Sequence, residues 1–305
     1  MGKAYAPIVH HFLKLAILIG FTVFTAYLAI SGDILLFIAP QLTIYVNLAV
    51  AGLAVFTAFQ LYFSICSIKQ PVILCDCGHS HDHSHSHEPP RSFWKHAVIY
   101  SLFLLPLLLG TFLPNQALAG SLAKKKGMTI GGGSVHSASG PADLVQLGGD
   151  EDPAVKELFK ADKYNRDYAQ LGMRLYKQDL IEMKDEWFIE KLQALNTFPA
   201  NFEGKPIKIK GFIYREAGLQ GNQLIIGRMA MTHCIADISP YGIVAETPDA
   251  SQYADDSWVT ATGTIGKMEY RGQTVIKITV QSMEPAAAPS VPYVYPDWDF
   301  ASKLK

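Results

Sequence analysis

The sequence predicts a membrane α-helical bundle of about three spans followed by a C-terminal small β-barrel, OB-like α+β domain. Three observations carry this reading. Long apolar runs fill the first part of the chain, a Gly- and Ser-rich stretch follows, and beyond it short alternating segments are separated by Gly and Pro turns. The expected organisation is a transmembrane region over 1–120, a flexible linker over 121–150 and a soluble domain over 151–305.

A helix needs about 20 largely apolar residues to cross a bilayer. The first such run is Phe12 to Ile30, with Lys14 near one end, where its stem can carry the charge to the interface. The second lies within Ile34 to Cys66 and is too long for one span. Pro40 divides it, leaving Ile34 to Ala39 at the interface and Leu42 to Cys66 across. The third runs from Ala97 to Ala119 and contains Pro106 and Pro114. Its QALAGSLA ending resembles a cleavage site, but it is internal and follows two spans, so it is read as retained.

Lys3, Lys14, Lys69, Arg91 and Lys95 flank one side of such a bundle, and Lys124, Lys125 and Lys126 the other. The positive-inside rule therefore favours a multi-pass plasma-membrane protein with its N-terminus inside and its soluble domain extracytoplasmic. No acid lies inside any span; Asn47 and Gln60 are polar residues of the second, and Asn115 and Gln116 lie near the end of the third. Ion-coupled carriers bury ionisable groups in the membrane, so this pattern argues against a complete transporter.

The formal net charge is -1. The soluble part is mildly acidic and has no basic cluster, which argues against a nucleic-acid groove and hence nucleic acid as a partner. The 4 cysteines are too scattered for a disulfide scaffold.

Between the second and third spans lies CDCGHSHDHSHSHE, residues 75–88. His79, His81, His83, His85 and His87 alternate with Ser or Asp, and Cys75 and Cys77 precede them. Imidazole and thiolate are ligands for zinc, nickel and copper, and an open loop can wrap several around one ion. The expected cofactor is zinc or another transition metal. The competing reading is a solvated low-complexity loop that binds metal without using it.

In the soluble part, Asp152-Pro153 reads as a helix N-cap and first turn, with the helix running to about Asp162. Asp185 to Leu195 reads as a second helix, with Phe188, Leu192 and Leu195 on one face. PIKIKGFIYRE, NQLIIGRMAM, GIVAE, SWVTATGTIGKME and QTVIKITVQSME read as strands, with a change of phase at Gly211 that predicts a bulge or bend. In the last strand Ile276, Ile278 and Val280 share one face.

His233, Cys234 and Asp237 cluster where a strand gives way to a turn, in MTHCIADISPYG. Two readings stay open there. The three side chains converge on a metal or small ligand, or Cys234 is a small core residue and Asp237 opens a turn before Ser239-Pro240. No catalytic role is expected: adjacent strand residues face opposite ways, so His233 cannot readily serve Cys234 as a base. No GxSxG, HExxH, P-loop or dinucleotide fingerprint is present.

The paired N-terminal spans, a third span, GKPIKIKGFIYRE, HCIADISPYG, SWVTATGTIG and a closing PYVYP together resemble the YcgQ-like membrane family over nearly the whole chain. The most specific part is the Cys-x-Ala-Asp turn, here Cys234, Ala236 and Asp237, with Gly204, Gly211, Trp258 and Gly263 around it. Relatives tend to carry two adjacent cysteines where this chain has His233-Cys234. The resemblance implies a permease subunit whose partner is a separate multi-span permease protein in the lipid bilayer. The expected function is thus an accessory subunit of a membrane permease, for transition-metal transport or homeostasis. The alternative is a membrane-anchored module that binds or senses a small ligand.

Overall fold

The computed structural model describes residues 5–69, 93–112, 119–131 and 152–304. It divides into two compact units, Met1–Asn115 and Gln116–Lys305.

The first unit is helical. It holds α1 (Tyr5–Ser31), α2 (Thr43–Lys69) and α3 (Phe93–Phe112). Gly32, at φ 82, ends α1 in the left-handed region that glycine adopts without strain. Short 3-10 turns at Asp33–Leu36 and Pro40–Leu42 lead to α2, with Pro40 starting the second turn as the sequence indicates. α1 and α2 are long and apolar enough to cross a membrane, over Ile8–Ser31 and Pro40–Ile68. The apolar stretch of α3, Ala97–Phe112, is shorter. The rest of the expected third span lies largely outside the described residues.

Small residues bring these helices together. A Cβ on Gly110 of α3 would stand 2.7 Å from Cζ of Phe24, and one on Gly20 of α1 would stand 3.1 Å from Cδ2 of Leu107. Close approach at small residues is how helices pack where burial from water supplies no driving force.

The second unit is an eight-stranded mixed sheet with helices against it. In chain order it contains α4 (Ala119–Lys126), β1 (Thr129–Ile130), α5 (Pro153–Leu158), α6 (Arg166–Tyr176), β2 (Ile181–Met183), α7 (Phe188–Thr197), β3 (Pro206–Tyr214), β4 (Gln223–Ala230), β5 (Ser239–Glu246), β6 (Trp258–Tyr270), β7 (Gln273–Pro285), β8 (Tyr293–Val294) and α8 (Phe300–Lys303). β3 pairs with β4 and β6, β6 with β7, and β5 with both β4 and β7. The hydrogen-bonded path β3–β4–β5–β7–β6 therefore returns to β3. The β5–β7 link is parallel and carries an ion pair, Lys277 Nζ to Glu246 Oε2 at 2.5 Å.

The core follows the alternation of the strands. Ile207 and Ile209 of β3, Leu224 and Ile226 of β4, Ile243 and Ala245 of β5, Ala261 and Ile265 of β6, and Ile276 and Ile278 of β7 are buried together. Phe188, Leu192 and Leu195 of α7 are fully buried on the same core. α5 begins as the sequence indicates, with Asp152 accepting the Ala154 N–H at 2.9 Å, but it stops at Leu158 rather than near Asp162.

Two expectations need correction. Of the bulge or bend expected at Gly211, the bulge is absent: the β3–β6 register runs unbroken from Pro206↔Thr264 to Phe212↔Trp258. The glycine is required instead because a Cβ there would lie 2.4 Å from the Gly227 carbonyl oxygen. The register shift lies at Thr262/Gly263, between β6 and β7.

The second correction concerns the linker expected over 121–150. Up to residue 131 the chain is ordered against the sheet: α4 leads to β1, which pairs in parallel with Tyr241 and Gly242 of β5. Met128 and Ile130 are buried. Residues 132–151 lie outside the described residues.

Candidate functional site

The turn after β4 is held by one carboxylate. Oδ1 of Asp237 accepts the Thr232 N–H at 3.0 Å, and Oδ2 accepts the N–H groups of His233 at 2.8 Å and Cys234 at 3.1 Å. Nδ1 of His233 lies 3.3 Å from the same Oδ2. Burial pushes the Asp237 carboxyl up, but the three backbone N–H groups and His233 outweigh it, and the group titrates below its usual range. A carboxylate offers about four acceptor positions, and Asp237 uses them on its own turn.

The geometry therefore makes Asp237 the residue that holds the turn, and the Cys234 sulfur completes a capping box by accepting the Asp237 N–H. His233 is exposed, and Cys234 is a half-buried free thiol rather than a core residue. On the far side of the turn, Lys126 Nζ donates to the carbonyl oxygens of Ala236 at 3.2 Å and Ile238 at 2.7 Å. The last lysine of α4 thereby clamps the backbone at the Ile235–Asp237 3-10 turn.

A second polar cluster lies in the helical unit. His10 Nδ1 is 2.9 Å from the Tyr100 hydroxyl, with the two rings stacked at 5.9 Å between centroids. His11 meets α2: Gln60 Nε2 lies 3.3 Å from its Nδ1 and donates to its carbonyl oxygen at 3.1 Å, and the Ser64 hydroxyl reaches the same oxygen at 3.3 Å. Farther along, the hydroxyls of Thr22 and Thr57 are 2.9 Å apart. Ser64 and Ser67 are buried.

This seam was not singled out from the sequence, where only Gln60 of its members was noted. The available signal was a His pair opening an apolar run, since ionisable groups at membrane depth mark functional positions. The seam also sets the relation of the helix ends. His11 is near the start of α1, Gln60 and Ser64 near the end of α2, and Tyr100 near the start of α3. The end of α2 and the start of α3, between which residues 70–92 run, therefore lie toward the N-terminal end of α1.

The metal-ligand candidates Cys75, Cys77, His79, His81, His83, His85 and His87 lie outside the described residues. Among the described residues, no three or more His, Cys, Asp or Glu side chains are grouped to hold a metal ion. His233 and Cys234 can offer two donors, so a tetrahedral ion there would need ligands from elsewhere.

Residues 13–129 match the DUF1980 N-terminal domain and residues 158–296 the DUF1980 C-terminal domain. Over 292 residues the chain is 30% identical to the UPF0703 protein YcgQ of Bacillus subtilis (strain 168), covering 92% of this chain and 98% of that one. The chain belongs to the UPF0703 YcgQ family. A further relative, from Streptococcus mutans serotype c (strain ATCC 700610 / UA159), is provisionally named a two-component membrane permease complex subunit. It is 24% identical over 209 residues, covering 66% of this chain and 75% of its own. Neither family member bears an enzyme's name. A solved structure of a replication protein A heterotrimer bound to ssDNA covers 33% of this chain and 65% of its own at 12% identity, with a TM-score of 0.17, and bears on nothing further.

Proposed function

We propose that this chain is the accessory subunit of a two-component membrane permease and handles a transition metal. The observation that carries the reading is the family relation, because one relative is named as a subunit of such a complex. The helical unit fits the role. It holds few spans joined by a short polar seam, too little to enclose a substrate path alone, so a multi-span permease partner in the bilayer completes it.

In this reading α3 and the residues after it form the third span. The soluble unit is a small OB-like barrel, supported by the closed strand path β3–β4–β5–β7–β6. It lies outside the cell. Lys126 is engaged with the carbonyls of Ala236 and Ile238, which weakens the claim of the Lys124–Lys126 run on the cytoplasmic side. The His-rich stretch collects zinc or a related ion through Cys75, Cys77, His79, His81, His83, His85 and His87. His233 and Cys234, on the turn held by Asp237, contribute a second, weaker metal contact.

The test is native purification. The tagged chain, extracted from its own membranes in mild detergent, should bring down a multi-span permease in fixed ratio and carry zinc or a related metal. Replacing the five histidines of the 75–88 stretch by Ser should remove most of the metal and keep the partner. Recovery without any multi-span protein overturns the subunit reading, and unchanged metal in the substituted chain overturns the metal reading.

A further inference from the structure

Arg228, on β4, is the largest fully buried side chain, with 1% of its surface exposed. A lone arginine inside an apolar strand needs partners for its donors, because a buried charged group left unpaired is costly. It has one. Nη1 donates to Oδ1 of Asp185, whose own side chain is 63% exposed. Nε and Nη2 have no hydrogen-bond partner.

Those two nitrogens are not an arbitrary pair. In a planar guanidinium they lie along one edge and present parallel N–H groups, the fork that grips two oxygens of a carboxylate or phosphate. The guanidinium carbon stands 5.3 Å from the Trp258 ring centre and 5.9 Å from that of Phe188. The rings hold its plane while the edge stays free.

The surroundings also favour an anion. Phe188 is the first residue of the 10-residue α7, so the guanidinium lies at the positive end of that helix. The chain enters α7 through Trp187, at φ 56, a left-handed conformation that a bulky residue adopts only under constraint. The indole N–H of Trp187 is fixed on Asp297 Oδ2 at 2.9 Å. The start of α7 is thereby fixed beside Arg228.

We propose that the Nε/Nη2 edge of Arg228 is the receptor for a small oxyanion, a carboxylate or phosphoryl group, bound against Phe188 and Trp258 at the start of α7. Asp185 competes for the same guanidinium from the solvent side. Being largely exposed, it keeps much of its own hydration, so giving up this contact costs it little. The site does not depend on the permease reading.

Thermal melting of the full-length protein in detergent tests this, with inorganic phosphate in one arm, succinate in the other and chloride at matched ionic strength as the control. Phosphate or succinate should raise the melting temperature saturably, and the arm that does so identifies the anion class. Arg228→Lys keeps the charge and loses the fork, so the saturating concentration should rise roughly tenfold or more. Asp185→Asn removes the competitor, so that concentration should fall. No saturable shift with either anion means that buried water serves the free edge, and it overturns the proposal. So does an unchanged response in Arg228→Lys. If that variant does not fold, an unchanged response in Asp185→Asn overturns it instead.

Discussion

Asp237 Oδ2 accepts the Cys234 N–H at 3.1 Å, so the acid of the Cys-x-Ala-Asp turn serves the backbone around the thiol. A carboxylate that satisfies three N–H groups works as a helix cap does, and removing such a cap typically costs roughly 0.5–2 kcal/mol. Asp237→Ala should lower the melting temperature of the soluble unit accordingly. The pH dependence has a definite sign. The folded carboxyl titrates below its ordinary value of 3.8, so its contribution is present above that value and is lost as pH falls through the folded pKa. The gap between wild type and Asp237→Ala should therefore narrow on acidification. A gap that is constant in pH would remove the carboxylate from the account.

Gln60 and His11 stand 49 residues apart in sequence, and Tyr100 and His10 stand 90 apart. Pairings at that separation leave no local trace, which is why the apolar runs were legible and the seam inside them was not. The strands of the closed path were readable because alternation is local. α6 was missed because Gly172 interrupts its pattern. That glycine is there for packing: a Cβ would come within 2.7 Å of the Phe159 ring. β1 was hidden for a related reason. Thr129 and Ile130 sit between Gly127 and Gly131, both at positive φ, and read as tether until Tyr241 and Gly242 are placed beside them. The turn at Cys234 was visible as a cluster of donors, but only the geometry shows Asp237 and the Cys234 sulfur capping each other's N–H groups while His233 stays exposed.

The seam between α1 and α2 can be tested by cross-linking. The Thr22 and Thr57 hydroxyls are 2.9 Å apart, so cysteines at both positions would bring their sulfurs within reach of a disulfide. Mild oxidation of the Thr22→Cys, Thr57→Cys double variant in membranes should link the two helices within one chain, read as a cross-linked peptide by mass spectrometry. Pairing between chains, or none, would mean that α1 and α2 do not meet along this seam.

Glu190 should make stability fall on the alkaline side. Burial raises its carboxyl above the ordinary value of 4.5, against the opposing Asp297 N–H, which donates to Oε1 at 2.8 Å. Oε2 is buried without a partner. A raised folded pKa means that the contribution is full below 4.5 and lost as pH rises through the folded value. Glu190→Gln keeps an acceptor for the Asp297 N–H and cannot ionise. Its melting temperature relative to wild type should climb with pH across that interval. A flat difference would show that Glu190 ionises in the fold without cost.

The placement of the soluble unit is open to direct labelling. With Lys126 engaged on the carbonyls of Ala236 and Ile238, the remaining basic residues favour an inside N-terminus. A Ser139→Cys variant, in a background with the native cysteines replaced by Ser, should react with an impermeant thiol reagent on intact cells. Reaction only after lysis would place the soluble unit in the cytoplasm.

Cys234 decides whether its turn is a site or a piece of scaffold. A fully buried thiol replaced by Ser would place a hydroxyl in an apolar core and lower stability by roughly 1–3 kcal/mol. Cys234 is only half-buried, its sulfur caps the Asp237 N–H, a role that a Ser hydroxyl fills as well, and the N–H groups of His233 and Cys234 stay on the Asp237 carboxylate. Cys234→Ser should therefore melt within a degree or two of wild type, since surface changes of this kind are usually within about 0.5 kcal/mol. Zinc titration of the same full-length proteins, both with Cys75, Cys77 and the five histidines of the 75–88 stretch replaced by Ser, then isolates the turn. If His233 and Cys234 supply donors, loss of the thiolate removes the softer ligand, and zinc affinity should fall at least about tenfold. His233→Ala should act in the same direction, because imidazole is the remaining donor. Equal titration curves with equal melting would leave the turn as structure alone, and the metal reading would then rest on the His-rich stretch.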